Sequence, residues 1–177
     1  MRRNPPTPNG SADWDDAKVA MQEFGSWIKN ADTKITILAA VLGVSLTALA
    51  GRAESIVAAV RDHDGRLVGV LIVSLAIVGA AAIVTAHYII KALRPRVGSV
   101  SNNNRFSWPA MAKRSEVPTQ FDADTRVAEA WEQAGALAKI AQAKYESFTR
   151  ALRSFIVLAV AACVAISVAS WVGHTMA

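Results

Sequence analysis

Residues 30–50 read NADTKITILAAVLGVSLTALA, a short charged segment followed by an apolar one. Asp32 and Lys34 immediately precede the apolar residues, and neither proline nor glycine interrupts the run before Gly43. This composition predicts one helix that begins in water and continues into a lipid bilayer. Asp32 and Lys34 are then expected at the membrane surface, where charge remains solvated. The other segments are expected to pack against this helix.

Apolar residues make up 53% of the 177-residue chain and are concentrated in three blocks, at 35–50, 67–90 and 155–172. As helices these blocks extend about 24, 36 and 27 Å, against a hydrocarbon core of about 30 Å. The first is short, but Lys34 can snorkel and residues 51–53 can lengthen the helix. A buried core helix is the alternative for this block. We predict three transmembrane spans, over residues 35–53, 67–90 and 154–173.

The N-terminal region does not predict a cleavable signal peptide, because the first apolar block begins only at residue 35. The single cysteine, Cys163, lies inside the third block. No intrachain disulfide is therefore possible, and Cys163 is expected to be a small core or lipid-facing residue.

The distribution of Lys and Arg predicts the orientation of the chain. Only three of these residues lie between the first two spans, whereas residues 91–153 contain eleven, with six acidic residues. By the positive-inside rule the N-terminus and the 91–153 region are cytoplasmic, and the hairpin over 54–66 and the C-terminus over 174–177 are external. The basic surface would attract anionic lipid headgroups or a phosphate-bearing ligand. Membrane topology alone is the competing explanation for the charge.

Two long helices are predicted to run from water into the membrane. A proline-rich tail over 1–12 is expected to be disordered, and a cytoplasmic helix over 13–34, capped by Ser11 or Asp13, continues into the first span. A second cytoplasmic helix over 122–153 continues into the third span. Because both enter the membrane in the same chain direction, they are predicted to be parallel.

Both long helices carry apolar residues at alternating three- and four-residue steps, the pattern of a heptad seam. In the first helix the seam comprises Trp14, Ala17, Met21, Phe24, Ile28, Ala31, Ile35, Leu38 and Leu42. In the second it comprises Val127, Trp131, Ala134, Ala138, Ala141, Tyr145, Phe148, Leu152 and Phe155. Alanines match a heptad easily by chance, so the aromatic ends of the second seam are the better guide to its buried face.

The external hairpin is short and polar. Its Asp62, His63 and Asp64 are conceivable metal ligands, but a solvated turn accounts better for adjacent residues on one loop. The cytoplasmic loop over 91–121 contains prolines and glycine that exclude a long helix. Within it Ser107 is expected to cap a short helix over 108–114 whose first turn contains Pro109. Phe106 and Trp108 are expected to dock against the long helices.

No catalytic motif is present in the sequence. It contains no glycine-rich phosphate loop after a strand, no His/Cys metal cluster and no Ser-His-Asp set. The carboxylates of the second long helix alternate with basic residues, as on an ordinary solvated face. The protein is therefore expected not to be an enzyme.

Three short motifs occur in a distinctive order. Residues 30–34 (NADTK) open the first span, residues 105–108 (RFSW) lie in the loop after the second, and residues 143–145 (AKY) lie in the helix that enters the third. In this order and spacing the chain resembles the transmembrane effector family of bacterial Pycsar antiphage systems, over roughly residues 15–172.

The resemblance implies a partner cyclase that makes cyclic CMP or cyclic UMP on infection. It also implies that the effector senses this messenger and impairs the inner membrane, which stops growth of the infected cell before phage mature (abortive infection). No cofactor other than the nucleotide ligand is implied.

A cyclic nucleotide requires a cation for its single phosphate charge and an aromatic face for its base. The candidate ligand-binding residues are Asp32, Lys34, Arg105, Trp108, Lys144 and Tyr145. Each has a structural alternative. Asp32 can pair with Lys29 or Lys34, Lys144 can meet solvent or a headgroup, and Trp108 can pack inside the bundle.

The expectation is thus an all-α membrane protein with three transmembrane helices, two of them extended as long parallel cytoplasmic helices. We expect it in the bacterial inner membrane as a homo-oligomer, because one three-helix unit has little room for a pore. Its expected partners are the cyclic nucleotide and the bilayer, and no nucleic acid polymer. Two other functions fit the same sequence: a constitutive membrane scaffold or adaptor, and a holin-like pore former without ligand control.

Overall fold

The computed structural model describes residues 10–61, 65–95, 104–113 and 122–174, and every element in these ranges is a helix. The helices are α1 (Gly10–Ala50), α2 (Ala53–Arg61), α3 (Gly65–Leu93), α4 (Trp108–Met111) and α5 (Ala123–His174). The all-α prediction is confirmed.

Three of these helices are long and apolar enough to cross a membrane: α1 over Ala12–Ala50, α3 over Gly65–Leu93 and α5 over Ala123–Trp171. Large aliphatic side chains project outward from each of them. Val44, Ile83 and Val160 are all exposed on the protein surface. Because a soluble protein rarely exposes so much contiguous apolar surface, lipid is the expected neighbour of these side chains. The prediction of three transmembrane helices is confirmed.

Helix α1 passes through the charged segment at residues 30–34 without a break, as predicted. It begins at Gly10, three residues before the predicted start at 13, so residues 10–12 are helical; residues 1–9 of the predicted tail lie outside the described residues. Within the apolar part of α1, the hydroxyl groups of polar residues form hydrogen bonds to the backbone of the same helix. Thr36, Ser45 and Thr47 each donate a hydrogen bond to the carbonyl oxygen four residues earlier, as hydroxyls in membrane helices commonly do.

The connection after α1 differs from the predicted polar hairpin. Helix α1 ends at Ala50, and the amide of Gly51 donates to the carbonyl of Thr47 at 3.0 Å. A second helix, α2, then occupies Ala53–Arg61. Glu54 in its first turn and Arg61 in its last favour a helix by complementing its dipole, so the sequence contains a signal for α2. The proposed turn at residues 62–64 lies outside the described residues.

Helix α3 ends three residues later than the predicted end of the second span at residue 90. Helix α3 extends to Leu93, where Pro95 prevents its continuation. Helix α4 begins at Trp108 with Pro109 in its first turn, as predicted, but ends at Met111 instead of residue 114. Ser107 occupies the N-cap position with extended backbone angles, yet its side chain makes no capping hydrogen bond. Residues 96–103 and 114–121 of the predicted loop lie outside the described part of the chain.

Helix α5 runs for 52 residues across the predicted membrane boundary at 153. It begins at Ala123, one residue after the predicted start, and the carbonyl of Asp122 accepts a hydrogen bond from the amide of Arg126 at 3.1 Å. Of the predicted external C-terminus, only His174 is described, and it is the last residue of α5.

The seam of α1 is confirmed: every one of its nine residues is buried or half-buried. The seam of α5 is different, because Trp131 and Leu152 are 46% and 37% exposed. The expectation that the aromatic residues of the seam mark the buried face is wrong for Trp131, whereas Tyr145, Phe148 and Phe155 are half-buried. The buried hydrophobic residues of α5 are Ala130, Ala134, Ala141, Ala151, Leu158, Ala161, Ala165 and Ala169. Small residues form this face because they allow neighbouring helix backbones to approach closely.

The chain forms two compact units. The polar unit consists of Met1–Ala31 and Pro95–Lys144, and the apolar unit consists of Asp32–Arg94 and Tyr145–Ala177. Helices α1 and α5 each contribute residues to both units.

Helices α1 and α5 run in the same direction within the apolar unit. Lys34 of α1 contacts Tyr145 of α5 at one end. At the other end Leu49 of α1 packs against a core that includes Ala165 of α5. Helix α3 runs antiparallel to both, because Leu71 near its start joins this same core whereas Tyr88 near its end lies beside Arg150 of α5. The predicted parallel arrangement is therefore confirmed for the apolar unit.

A polar contact joins α3 and α5 in the middle of the apolar unit. Ser154 Oγ donates a hydrogen bond to the carbonyl oxygen of Ala81 at 3.0 Å. Thr85 Oγ1 donates to the same oxygen at 2.7 Å, and Thr85 is fully buried. Because lipid offers no competing donor or acceptor, such a bond helps to fix the contact between two membrane helices.

Candidate functional site

In the polar unit, Asn104 anchors the loop to α5. Its side chain is 0% exposed. The Asn104 Nδ2 group donates to the backbone carbonyl of Glu129 at 2.7 Å and to Glu132 Oε2 at 2.9 Å. Asn104 Oδ1 accepts from the amide of Phe106 at 2.9 Å. Three hydrogen bonds from one buried amide fix the start of the RFSW segment.

Arg105 pairs with a carboxylate of α5. Its Nε donates to Glu129 Oε2 at 2.8 Å, and its backbone amide donates to the same oxygen at 3.1 Å. The two side chains are only 15% and 16% exposed. A nucleotide phosphate would have to compete with Glu129 for this guanidinium group. The pairing instead gives Arg105 a role in holding the loop on α5.

The loop aromatic Phe106 docks on the first turns of α1, as predicted. Its ring centroid lies 5.7 Å from that of Trp14. The guanidinium carbon of Arg126 lies 3.6 Å from the Trp14 ring centroid, and that of Arg105 lies 5.8 Å from the Phe106 ring. Arginines from the loop and from α5 therefore flank a pair of aromatic rings. Attraction between a cation and a ring face stabilises each of these contacts.

Trp108 does not dock. It is 71% exposed, whereas its neighbours Ser107 and Ala110 are 4% and 7% exposed. The expectation that Trp108 packs against the long helices is wrong, because the short turn of α4 directs Ser107 and Ala110 inward and Trp108 outward.

In the apolar unit, the structure brings two of the six candidate residues together. Lys34 Nζ lies 5.5 Å from the centroid of the Tyr145 ring. Lys34 is exposed, Tyr145 is half-buried, and the Tyr145 hydroxyl oxygen is buried. Asp32, two residues before Lys34 on α1, is half-buried. A cation beside an aromatic face is the combination that a nucleotide phosphate and base require.

Lys144 differs from the other candidates because it is only 6% exposed. The expected alternative, in which its ammonium group meets solvent or a headgroup, does not fit this burial. A buried ammonium group requires polar partners to offset its lost hydration. Lys144 is therefore part of the packed face of α5.

The polar unit thus contains Arg105, Trp108 and Lys144, and the apolar unit contains Asp32, Lys34 and Tyr145. Asn104, Glu129 and Glu132, which fix the loop, are not among the residues predicted from the sequence. The spacing of Glu129 and Glu132 is the available signal, because residues three apart lie on one helix face. Asn104, by contrast, is the last of three consecutive asparagines that indicate only a loop.

Within the described residues, no group of three or more His, Cys, Asp or Glu side chains is arranged to hold a metal ion. The site chemistry available from these residues is that of cations, aromatic rings and hydrogen-bonding side chains.

Three apolar helices with exposed aliphatic faces, two of which also contribute to a polar unit, define a multi-pass helical membrane protein. A family profile described as the Pycsar effector protein domain matches residues 16–171. The chain belongs to this family, and the resemblance noted in the sequence is confirmed. Membership places it among antiphage membrane effectors. No curated protein and no solved structure matches the chain.

Proposed function

We propose that this protein is a cyclic pyrimidine nucleotide-responsive effector of the bacterial inner membrane. In this proposal a partner cyclase makes cyclic CMP or cyclic UMP during infection. The nucleotide binds the effector, which then impairs membrane integrity and causes abortive infection. The match of the family profile to residues 16–171 carries the proposal, and the three apolar helices support a function in the bilayer.

We assign the nucleotide contact to Lys34 and Tyr145. The exposed ammonium group of Lys34 can meet the cyclic phosphate, and the Tyr145 ring can stack on the pyrimidine base. Asp32 is a further candidate, because its carboxylate can accept a hydrogen bond from a ribose hydroxyl or a base amine. Arg105 is assigned to loop anchoring, because its guanidinium group already donates to Glu129.

A ligand at this position can affect how the membrane helices pack. Lys34 and Tyr145 belong to α1 and α5, and the apolar parts of both helices follow directly along the chain. A bound nucleotide that alters the spacing of these two residues therefore acts on two spans at once. Because a single three-helix unit has little room for a pore, we propose that the leak forms in a homo-oligomer.

The test is thermal unfolding of the full chain in detergent with cyclic CMP, cyclic UMP, cyclic AMP and cyclic GMP in parallel. We expect selective stabilisation by one pyrimidine nucleotide, by about 2.7 kcal/mol at a hundredfold excess over its dissociation constant. K34Q and Y145L should each raise the dissociation constant of this nucleotide at least tenfold. K34Q removes the cation, and Y145L removes the stacking face. The matched control is K18Q, which removes one exposed positive charge from the same helix.

The other outcomes separate the competing functions. If the folded protein responds to none of the four nucleotides, messenger sensing is rejected and the scaffold function takes its place. If purified protein releases dye from liposomes equally with and without nucleotide, it is a holin-like pore former. If K18Q weakens the response as much as K34Q, the assigned contact is wrong although the function stands.

A further inference from the structure

The apolar unit contains a second cluster of cations and aromatic rings, centred on Tyr88. Lys91 Nζ lies 5.9 Å and Arg150 Cζ 5.7 Å from the centroid of the Tyr88 ring. The His87 ring meets Tyr88 edge-on, with ring centroids 5.3 Å apart. Lys91 lies three residues after Tyr88 on α3, and the packing of α5 against α3 brings Arg150 to the same ring.

The charges around this cluster do not balance. The three segments at this end of the apolar unit, residues 32–36, 87–94 and 145–153, contain five basic residues and two carboxylates. The basic residues are Lys34, Lys91, Arg94, Arg150 and Arg153, and the carboxylates are Asp32 and Glu146. Glu146 lies one turn before Arg150, the spacing of a helical ion pair. However the carboxylates pair, two of them cannot neutralise five cations.

The segment of sequence between the apolar parts of α1 and α3 has no such excess. Residues 51–66 contain three basic residues, Arg52, Arg61 and Arg66, and three acidic ones, Glu54, Asp62 and Asp64. The positive charge is therefore a property of the end that contains Tyr88. Positive charges held close together repel one another unless an anion binds between them.

The cluster lies at the depth where lipid headgroups are expected. Tyr88 follows the apolar residues 67–86 of α3, and tyrosine at the end of a membrane helix typically lies at headgroup level. Lys91 and Arg150 are exposed. Their long side chains can pack their apolar stems along the helices while the charged groups reach lipid phosphates.

We propose that Lys91 and Arg150, held beside Tyr88, bind the phosphate of an anionic phospholipid headgroup. Lys91 supplies a compact ammonium charge, and Arg150 supplies a planar guanidinium that can donate two hydrogen bonds to one phosphate. Attraction to the Tyr88 ring holds each cation beside this ring. These residues differ from the proposed nucleotide contact, and the inference does not rest on the proposed function.

The test measures binding of short-chain phosphatidylglycerol to the full-length protein in detergent, with short-chain phosphatidylcholine as the comparison. We expect saturable stabilisation by phosphatidylglycerol and none by phosphatidylcholine. The double variant K91Q/R150Q should weaken phosphatidylglycerol binding roughly thirtyfold, since each basic residue near an anionic surface contributes about 1 kcal/mol. The matched control R52Q/R61Q removes the same charge from the opposite end and should bind within twofold of wild type.

The ring is tested with two substitutions at one position. Y88F keeps the aromatic face and should retain phosphatidylglycerol binding. Y88L removes the aromatic face and should weaken phosphatidylglycerol binding severalfold. These single variants keep the proposal testable if K91Q/R150Q fails to fold.

Three results would overturn the proposal. The first is equal stabilisation of wild type by both lipids, which needs no variant. The second is equal weakening by K91Q/R150Q and R52Q/R61Q, because it indicates a general effect of charge. The third is displacement of phosphatidylglycerol by inorganic phosphate or cyclic CMP at comparable concentrations, which indicates a site for a free phosphate ligand.

Discussion

Two residues define how the polar unit holds its loop. Asn104 uses both polar atoms of its buried amide, and Arg105 shares one oxygen of Glu129 between its side chain and its backbone amide. A buried polar group stabilises a fold only while its partners remain in place. This loop is therefore more sensitive to single substitutions than an exposed surface loop.

We predict that N104A lowers the free energy of unfolding by about 1–3 kcal/mol, because it removes the hydrogen bonds that the Asn104 amide donates to the Glu129 carbonyl and the Glu132 carboxylate. The measurement is chemical denaturation of the detergent-solubilised protein, with unfolding monitored by tryptophan fluorescence. N30A, at an exposed position of α1, is the control and should change stability by less than about 0.5 kcal/mol. Equal effects of the two substitutions would contradict the anchoring role of Asn104.

At the scale of the helices, α1 and α5 differ in how well their buried faces can be predicted. Up to residue 34 the seam of α1 lies among polar residues, so only one face can be buried, and the same three- and four-residue steps continue to Leu42. In α5 alanines occur on several faces, and periodicity cannot distinguish them. The close approach of neighbouring helices selects the face with Ala130 and Ala134, and it leaves Trp131 at the surface.

We predict that A134L destabilises the protein by about 1–3 kcal/mol or more, because Ala134 is 1% exposed and the packed face has no room for three additional carbons. A128L, six residues earlier on an exposed position of the same helix, is the matched control and should be nearly neutral. Thermal unfolding of both variants measures the difference. If A128L is the more destabilising variant, the buried face of α5 has been assigned incorrectly.

The whole molecule combines a polar unit with an apolar unit of three membrane helices. The positive-inside rule and the eleven basic residues of the 91–153 region predict that the polar unit is cytoplasmic and that α2 is external. This orientation is what a messenger made in the cytoplasm requires.

We predict the orientation to be visible by cysteine labelling in whole cells, in a C163S background. V57C, at an exposed position of α2, should react with a membrane-impermeant maleimide in spheroplasts. K18C, at an exposed position of α1 in the polar unit, should react only after lysis. The reverse pattern would place the polar unit outside the cell and would remove its access to a cytoplasmic nucleotide.

The sequence by itself determined the class of protein, the three spans and the buried face of α1. These properties follow from hydropathy and periodicity, because the bilayer core admits only segments that satisfy their own backbone hydrogen bonds. The family could also be recognised from the sequence, since the order of short motifs is a property of the chain.

Only the tertiary structure decided which polar residues meet. Arg105 pairs with Glu129, Lys34 lies beside Tyr145, and Lys91 and Arg150 share Tyr88. Lys91 and Tyr88 are near neighbours on α3, but the partners in the other three pairs are far apart in the chain, and local spacing does not encode their distances. Packing of the helices sets those distances, and it thereby separates the arginine that holds a loop from the cations that lie beside a tyrosine ring.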